Sequence, residues 1–275
     1  MPALKVPGAT LHYETFGTGP ILLLVPGADG RGSVFHNTAK YLASHFTVIC
    51  WDRRGFSKSF LVGPQDFSNR LSTDADDAEL LIRHLSREPA AVFGNSSGAI
   101  VAQSLLARHP DCVKAVVVHE PPCLSVLLEQ PRTQGTELMQ HIYDTYRARG
   151  PEAAMEVFTS RLSEGDDDGA MMRHCMDATR GDEIRANMLF WFEFELRQYT
   201  GAAVDMAGIE MEKEKYIPAA GIDSGEGGPV VSPIATIAGR LGKKVVRIPG
   251  GHVGFMTQPE EFAHGLWEML KGRFE

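Results

Sequence analysis

The fold is decided by the stretch Ala91-Val92-Phe93-Gly94-Asn95-Ser96-Ser97-Gly98, in which a Gly-x-Ser-x-Gly turn follows a short apolar run. The run Ala91–Phe93 has the composition of a strand that is buried on both faces. The segment Gly98–Arg108 that follows has the apolar spacing of a helix. A strand, a sharp turn and a helix in this order form the context in which Gly-x-Ser-x-Gly carries a nucleophilic serine.

Ser96 is the predicted nucleophile. Its turn must be tight enough to leave the serine at the tip, and Gly94 and Gly98 remove the side chains that would clash there. The helix that begins here directs its free N–H groups and positive dipole end at the same place. The alternative is that Ser96 or Ser97 only caps the helix.

Similar apolar runs on either side of this turn indicate further buried strands, at Ile21–Val25, Phe46–Trp51, Val113–Val118, Tyr216–Ala220 and Lys244–Ile248. Leu11–Thr15 alternates apolar and polar residues, as an edge strand does. Helical patterns lie between the strands, and Thr73–Leu85 is one of them. This alternation predicts an α/β fold with a mostly parallel central sheet flanked by helices on both faces.

The rhythm changes after Pro121-Pro122, where helical segments follow one another without a buried strand. We therefore predict an inserted helical cap at 123–215. It separates two parts of an α/β core, at 1–122 and 216–275. A last helix is expected at Pro259–Lys271.

A serine hydroxyl is a weak nucleophile and needs a general base. His252 is the predicted base, because it lies in the glycine-rich loop Pro249-Gly250-Gly251-His252-Val253-Gly254-Phe255, directly after the last predicted strand. His264 is the other late histidine, and its place inside the final helix indicates a packing or surface role.

Two acids are candidates to orient His252. Glu120 follows the strand after the nucleophile helix, and Asp223 follows the next predicted strand. Both give the chain order serine, acid, histidine. We favour Glu120, because a glutamate at a buried strand end is costly unless it has a partner, and we keep Asp223 as the alternative.

The oxyanion of an acyl-transfer reaction needs two preorganised N–H donors. We predict that they come from Ser97 and from Ala28, in the loop after Ile21–Val25. The glycines in Gly27–Gly32 do not follow the Gly-x-Gly-x-x-Gly order of a dinucleotide loop, so we disfavour that interpretation.

Substrate contacts are predicted for Trp191, in the aromatic stretch Phe190-Trp191-Phe192-Glu193-Phe194, and for Asp29, beside the predicted oxyanion loop. We expect Phe190, Trp191 and Phe194 to share one helix face. The alternatives are that the aromatic residues form the core of the cap and that Asp29 is an exposed loop acid.

Composition narrows the possible partners. The net charge is −8, which argues against nucleic acid as a partner, because phosphate binding needs clustered lysine and arginine.

The four cysteines have no close Cys-x-x-Cys spacing, so we expect free thiols, no metal and no cofactor. No segment predicts a membrane span. We expect a cytoplasmic protein and count a homodimer among its options.

Taken together, Gly94–Gly98, the Pro26-Gly27 loop, Trp51-Asp52-Arg53-Arg54-Gly55-Phe56-Ser57 and Gly251-His252 resemble the α/β-hydrolase superfamily. Within it, His119-Glu120-Pro121-Pro122 resembles the subgroup of fungal zearalenone lactonases. The resemblance implies a triad of Ser96, His252 and Glu120. Asp223, however, stands where most of the superfamily place the acid.

The function expected from these residues is hydrolysis of a carboxylic ester or lactone of a small, largely apolar substrate through an acyl-enzyme. The lactone preference is implied by the subgroup resemblance alone. Two alternatives stay open. The same triad could act as a C–C bond hydrolase or lyase, or the chain could be a receptor-like member of the fold that binds a ligand without turnover.

Overall fold

The computed structural model describes residues 2–162, 166–225, 227–228 and 231–274. Within these ranges the centre of the molecule is a nine-stranded sheet with the order β1-β2-β4-β3-β6-β7-β8-β9, in which β5 pairs with β2. The strands are Ala3–Val6 (β1), Ala9–Phe16 (β2), Ile21–Val25 (β3), Thr47–Trp51 (β4), Phe60–Leu61 (β5), Ala90–Asn95 (β6), Val113–His119 (β7), Tyr216–Gly221 (β8) and Val246–Ile248 (β9).

The sheet is parallel from β4 to β9, and only its β1-β2-β5 margin is antiparallel. This confirms the predicted mostly parallel sheet. The prediction that Leu11–Thr15 lies at the edge is wrong, because β1 pairs along the outer side of β2. The polar residue of the alternating pattern does not mark a solvent-exposed face here, because the His12 side chain is also buried. The His12 backbone N–H donates to the Ser59 hydroxyl.

Helices cover both faces of the sheet. They are His36–Leu42 (α1), Arg70–Leu85 (α2), Ser97–Arg108 (α3), Glu129–Arg149 (α4), Pro151–Leu162 (α5), Asp166–Cys175 (α6), Asp182–Phe194 (α7), Leu196–Gly201 (α8), Met206–Met211 (α9), Val231–Arg240 (α10), Gly254–Thr257 (α11) and Pro259–Leu270 (α12). Apolar side chains of α2, α3 and α10 pack on one face of the sheet. Those of α1, α11 and α12 pack on the other.

Helices α4 to α9 fall between β7 and β8, in the stretch predicted as the cap. In the part of 123–215 that the structure describes there is no strand. Apolar residues of these helices, such as Met139, Phe158 and Phe192, join the same hydrophobic cluster as Leu22 and Val48 of the sheet. These helices therefore pack directly on the sheet, and the cap stays a prediction.

The order of the strands determines where a site can form. Because β3, β6, β7 and β8 are parallel neighbours, the loops that follow their carboxyl ends lie side by side, where ligands bind in open α/β sheets.

All four cysteines are free thiols. Among the described helices, none is long and apolar enough to cross a membrane.

Candidate active site

Ser96 lies at the turn between β6 and α3 with a backbone that few side chains tolerate. Its φ of 55° and ψ of −125° lie outside the helical and extended regions, a conformation that costs about 1–3 kcal/mol. Hydrogen bonds fix the turn: the Ser96 N–H donates to the His119 carbonyl at 3.0 Å, and the Ala99 N–H donates to the Ser96 carbonyl at 2.9 Å. The serine is thus held at the tip of the turn, at the N-terminus of α3.

The two glycines of the turn are required by space. A Cβ at Gly98 would overlap the carbonyl oxygens of Val25 and Pro26, and one at Gly94 would overlap the carbonyl oxygen of Gly98. The turn is tight because α3 passes directly over β3, which explains the spacing found in the sequence.

His252 is paired with Glu120. Its Nδ1 donates to Glu120 Oε2 at 2.7 Å, and the Gly221 N–H donates to Glu120 Oε1 at 2.8 Å. Both side chains are buried, and Glu120 is held with a φ of 50°. Burial alone would raise the pKa of Glu120, but the neighbouring His119 and the hydrogen bond from His252 hold it below its usual range. The carboxylate is therefore ionised and accepts the hydrogen bond from Nδ1, which makes Nε2 the acceptor nitrogen of the neutral imidazole.

Asp223, the other candidate acid, lies on an exposed loop. Its carboxylate accepts a hydrogen bond from Gln258 Nε2 at 3.1 Å. Its backbone N–H donates to the Gly250 carbonyl at 3.1 Å. Of the two acids left open by the sequence, the structure thus pairs Glu120 with His252.

His119 lies next to this pair and is fully buried. Its Nδ1 donates to Asn95 Oδ1 at 2.7 Å. Its Nε2 lies 4.0 Å from Glu120 Oε1 and has no hydrogen-bond partner among the described residues. Burial lowers the pKa of His119 to about 4, so this ring is neutral near pH 7.

The predicted oxyanion donors lie beside Ser96. Ala28 and Ser97 line a cavity together with Ser96 and His252. A Cβ on Gly27 would lie 3.1 Å from Ser96 Cβ, so the loop after β3 closely approaches the serine. Ser97 begins α3, and the first N–H groups of a helix have no acceptor within it.

In the described part of the chain, no hydrogen bond joins the side chains of Ser96 and His252, although both line the same cavities. Catalytic hydrogen bonds are often long without substrate and tighten when it binds. The arrangement is therefore compatible with proton transfer between the two groups.

Two cavities meet at Ser96, His252, Ala28 and Phe158. One, of about 60 Å³, has walls that include Leu124, Leu138, Met139, Trp191 and Leu196. The other, of about 50 Å³, has walls that include Val34, Met172, Met176, Phe255 and Met256. Most of these walls are apolar, and they come from both the core and the helices between β7 and β8.

Trp191 lies where a substrate contact was predicted. It is 3% exposed, lines the larger cavity, and meets Phe158 edge-on at a ring distance of 5.0 Å. The expectation that Phe190, Trp191 and Phe194 share one face is wrong. Phe190 and Phe194 pack on Phe67, because residues four apart on a helix lie on the same face. Trp191, one position after Phe190, lies on another face and contacts Phe158.

Asp29 lines the smaller cavity, but its carboxylate is already engaged. Both oxygens accept hydrogen bonds from Arg31, at 2.6 to 2.9 Å, and the Asp29 side chain is 11% exposed. The alternative of an exposed loop acid is therefore wrong. Burial raises the pKa of Asp29 despite Arg31, and a contact with substrate stays a prediction.

Sequence reasoning missed a set of buried charges beside the site. Glu195 and Tyr199 line the larger cavity, and Glu195 is paired with two buried arginines, Arg53 and Arg70. The available signal was Glu195 itself, a glutamate between Phe194 and Leu196 directly after the aromatic-rich stretch. Such a charge needs a partner when it is buried.

No group of three or more His, Cys, Asp or Glu side chains is placed to hold a metal ion in the ranges that the structure describes.

Comparison with known proteins agrees with this fold. A family model described as alpha/beta hydrolase fold matches residues 20–191. An uncharacterized hydrolase, YraK of Bacillus subtilis (strain 168), is 32% identical over 272 residues, which are 98% of this chain and 95% of the relative. A zearalenone hydrolase of Bionectria ochroleuca is 26% identical over 266 residues, with 93% of this chain and 92% of the relative covered.

Solved structures share the fold at lower sequence identity. The enol-lactonase from Burkholderia xenovorans LB400 superposes with a TM-score of 0.74 at 18% identity, over 98% of this chain and 100% of that one. A thermophilic esterase from Thermogutta terrifontis gives a TM-score of 0.74 at 19% identity, over the full length of both chains.

Proposed function

This chain belongs to the α/β-hydrolase family, and we propose that it is a serine hydrolase that cleaves a carboxylic ester or lactone. The observation that carries the proposal is the hydrogen bond of 2.7 Å between His252 Nδ1 and Glu120 Oε2, at a cavity that also exposes Ser96. A carboxylate that fixes the histidine tautomer leaves the other ring nitrogen free to accept the serine proton.

In the proposed mechanism, His252 Nε2 takes the proton of Ser96 as its hydroxyl attacks the carbonyl carbon. The backbone N–H groups of Ala28 and Ser97 stabilise the negative oxygen of the tetrahedral intermediate. His252 then gives its proton to the leaving alkoxide. Glu120 stabilises the imidazolium throughout without taking the proton itself.

The acyl-enzyme is released by water in the same way. His252 removes a proton from a water molecule, the hydroxide attacks the acyl carbon, and the proton returns to Ser96 as the carboxylic acid leaves. A lactone would give a single ring-opened hydroxy acid, whereas an open-chain ester would give an acid and an alcohol.

The cavity walls support an apolar substrate. Leu124, Leu138 and Leu196 lie on one side of Ser96, and Val34 and Met172 lie on the other. Such surfaces favour groups that lose little hydration on binding. Two of the similar proteins bear lactone-related names, a zearalenone hydrolase and an enol-lactonase, which supports including lactones in the substrate class.

A panel of apolar esters and lactones tests this proposal. We expect the wild-type protein to hydrolyse one or more members of the panel. The rate of hydrolysis is measured by pH-stat titration of the released acid. Ser96→Ala should abolish it, and Ser104→Ala, on the same helix but outside both cavities, should not. A folded wild-type protein that hydrolyses none of them would favour a receptor-like role or C–C bond chemistry.

A further inference from the structure

Next to the proposed active site lies a cluster of buried charges. Arg53 reaches Glu195 with both terminal nitrogens, at 2.9 and 2.7 Å, and Arg70 reaches the same carboxylate at 2.7 and 3.0 Å. Asp74 accepts hydrogen bonds from Arg53 at 2.7 Å and from the Tyr199 hydroxyl at 2.8 Å. These side chains are at most 2% exposed.

The cluster joins two parts of the chain. Arg53 follows β4, and Arg70 and Asp74 lie on α2 of the core, whereas Glu195 and Tyr199 belong to the segment predicted as the cap. Two arginines balance two carboxylates. Apolar residues of similar volume would often hold two surfaces together equally well, because charges lose their hydration when they are buried. We therefore expect these charges to have a role other than holding the two parts of the chain together.

Arg53 has a further contact that provides such a role. Its Nη2 donates to the carbonyl oxygen of Gly27 at 2.8 Å. That carbonyl and the N–H of Ala28 belong to one planar trans peptide group, so they point in opposite directions. The Gly30 N–H also donates to this oxygen, at 3.0 Å. The guanidinium adds a charged donor that helps to fix the plane of the group and withdraws electron density from it, which strengthens the Ala28 N–H as a donor.

We infer that Arg53, held by Glu195 of the cap, is a positioning residue that orients and polarises the Gly27–Ala28 peptide as an oxyanion donor. This inference rests on the proposed function. It links the position of the cap to the strength of the oxyanion hole through one side chain, since Glu195 aligns the same guanidinium that donates to Gly27.

The test removes the pair without changing the net charge, in the double variant Arg53→Met with Glu195→Gln. The matched control is Arg54→Met with Asp77→Asn. Arg54 and Asp77 form a buried pair with two hydrogen bonds of 2.6 Å, and Arg54 is the sequence neighbour of Arg53. Arg54 donates to the Pro7 carbonyl instead of Gly27.

Kinetics on an ester that the wild-type protein hydrolyses should separate the two variants. Removal of a whole oxyanion donor costs about 10²–10³ in kcat, so for a donor that is present but misaligned we expect a loss of roughly 10- to 100-fold, with KM changed by less than about threefold. The affinity for an alkyl trifluoromethyl ketone, which forms a tetrahedral oxyanion on the serine, should fall by the same factor. The control pair should keep both values, and the pH midpoint of kcat/KM should not move in either variant.

Other results overturn the inference. Equal losses in the two double variants would show that Arg53 has no specific effect on the oxyanion donor. A kcat loss without loss of ketone affinity would show that the loss does not come from the oxyanion hole. If the Arg53 double variant does not fold, Glu195→Gln alone takes its place, and unchanged kcat and ketone affinity there would refute the link to the cap. An active wild-type protein with an unaffected Arg53 variant refutes this inference only, whereas a wild-type protein without turnover or ketone binding refutes the proposed function as well.

Discussion

At the scale of single residues, backbone strain coincides with the proposed chemistry. The described residues other than glycine that have a positive φ are Ser57, Ser96 and Glu120, and two of them are the proposed nucleophile and the proposed acid. Such conformations persist only where the surrounding structure imposes them, and they concentrate at functional sites. Glu120 is held by Gly221 and His252, and Ser96 by the turn between β6 and α3.

The choice of acid gives the first prediction. Glu120→Gln should lower kcat for ester hydrolysis by about 10³–10⁴-fold, because an amide neither fixes the tautomer of His252 nor stabilises its charged form. Asp223→Asn should leave kcat close to the wild-type value, since Asp223 contacts Gln258 on an exposed loop. Steady-state kinetics of the two isosteric variants decide the matter, and the reverse order of losses would return the role to Asp223.

His119 gives a prediction about pH. Its pKa is about 4 in the folded chain against 6.5 for an unperturbed histidine, so the unfolded state binds a proton between these values and the folded state does not. Stability from this group is complete at high pH and is lost as the pH falls. Between pH 6.5 and 4.5 the loss from this group is about 2 kcal/mol. Burial raises the pKa of Asp77 to about 6, and this group gains stability as the pH falls over the same interval, so the His119 contribution is measured by urea unfolding as the difference between the wild-type protein and a His119 variant.

His119→Gln is the control for this titration. The variant should lack that part of the pH dependence, and identical slopes for both proteins over this interval would contradict the assignment. The interval lies above the pH at which Glu120 contributes, because a lowered pKa affects stability only below the unperturbed value of 4.5.

Sequence was sufficient to nominate Ser96 and His252, because each lies in a short glycine-rich motif whose local geometry explains it. It was not sufficient to choose between Glu120 and Asp223. That choice depends on how β7 and β8 bring their ends together around the loop of His252, which is a matter of distant contacts. The pairing of Arg53 with Glu195 joins residues 142 positions apart, and no local pattern encodes it.

At the scale of secondary-structure elements, the close approach of α3 to β3 constrains the geometry of the site. The helix passes so close to the strand end that Gly98 faces the carbonyl oxygens of Val25 and Pro26. This approach also places the N-terminus of α3 against the loop that carries Ala28. The glycines of the motif therefore set the distance between the proposed nucleophile and the proposed oxyanion donors.

Gly98→Ala tests that constraint. The added methyl group must displace backbone atoms, so we expect a loss of about 3 kcal/mol or more in unfolding free energy, at the upper end of the cost of overpacking. Gly239→Ala, at an exposed position of α10 with open space around it, should be neutral or stabilising by up to about 1 kcal/mol. Equal effects in denaturant unfolding would contradict the close approach.

The elements themselves were largely predictable. Ile21–Val25 has the predicted bounds, and β7 and β8 extend one residue further than predicted. Strand β6 begins one residue earlier and ends two residues later than predicted. Strand β9 is shorter than predicted, beginning at Val246 instead of Lys244. Long apolar runs identify buried strands well, whereas strand ends and sheet edges depend on neighbours such as β1 that the local pattern does not reveal.

At the scale of the whole molecule, the proposed nucleophile lies between two apolar cavities that are lined by the core and by the helices between β7 and β8 together. Phe158 borders both of them. The larger cavity depends on α4, α7 and α8, and the smaller one on α6 and α11. How these helices rest on the sheet could not be predicted from sequence, because their apolar stripes fit a range of orientations.

This arrangement predicts two independent specificity determinants. Leu138→Trp should narrow the larger cavity and Val34→Phe the smaller one, since both residues are half-buried in the walls. Each variant should lower kcat/KM about tenfold for esters in which one part, either the acyl or the alcohol part, is long. The two variants should affect different parts of the ester. A matrix of esters varied in acyl and alcohol length measures this, and losses on the same side in both variants would contradict it.

The most direct test of the account is covalent labelling of Ser96. The purified protein is treated with a fluorophosphonate, its intact mass is measured, and the modified peptide is sequenced by mass spectrometry. The account predicts one adduct, located on Ser96, absent in Ser96→Ala and formed much more slowly in Glu120→Gln. A folded wild-type protein that forms no adduct, or one whose adduct lies elsewhere, would contradict the claim that Ser96, His252 and Glu120 form an active hydrolase site.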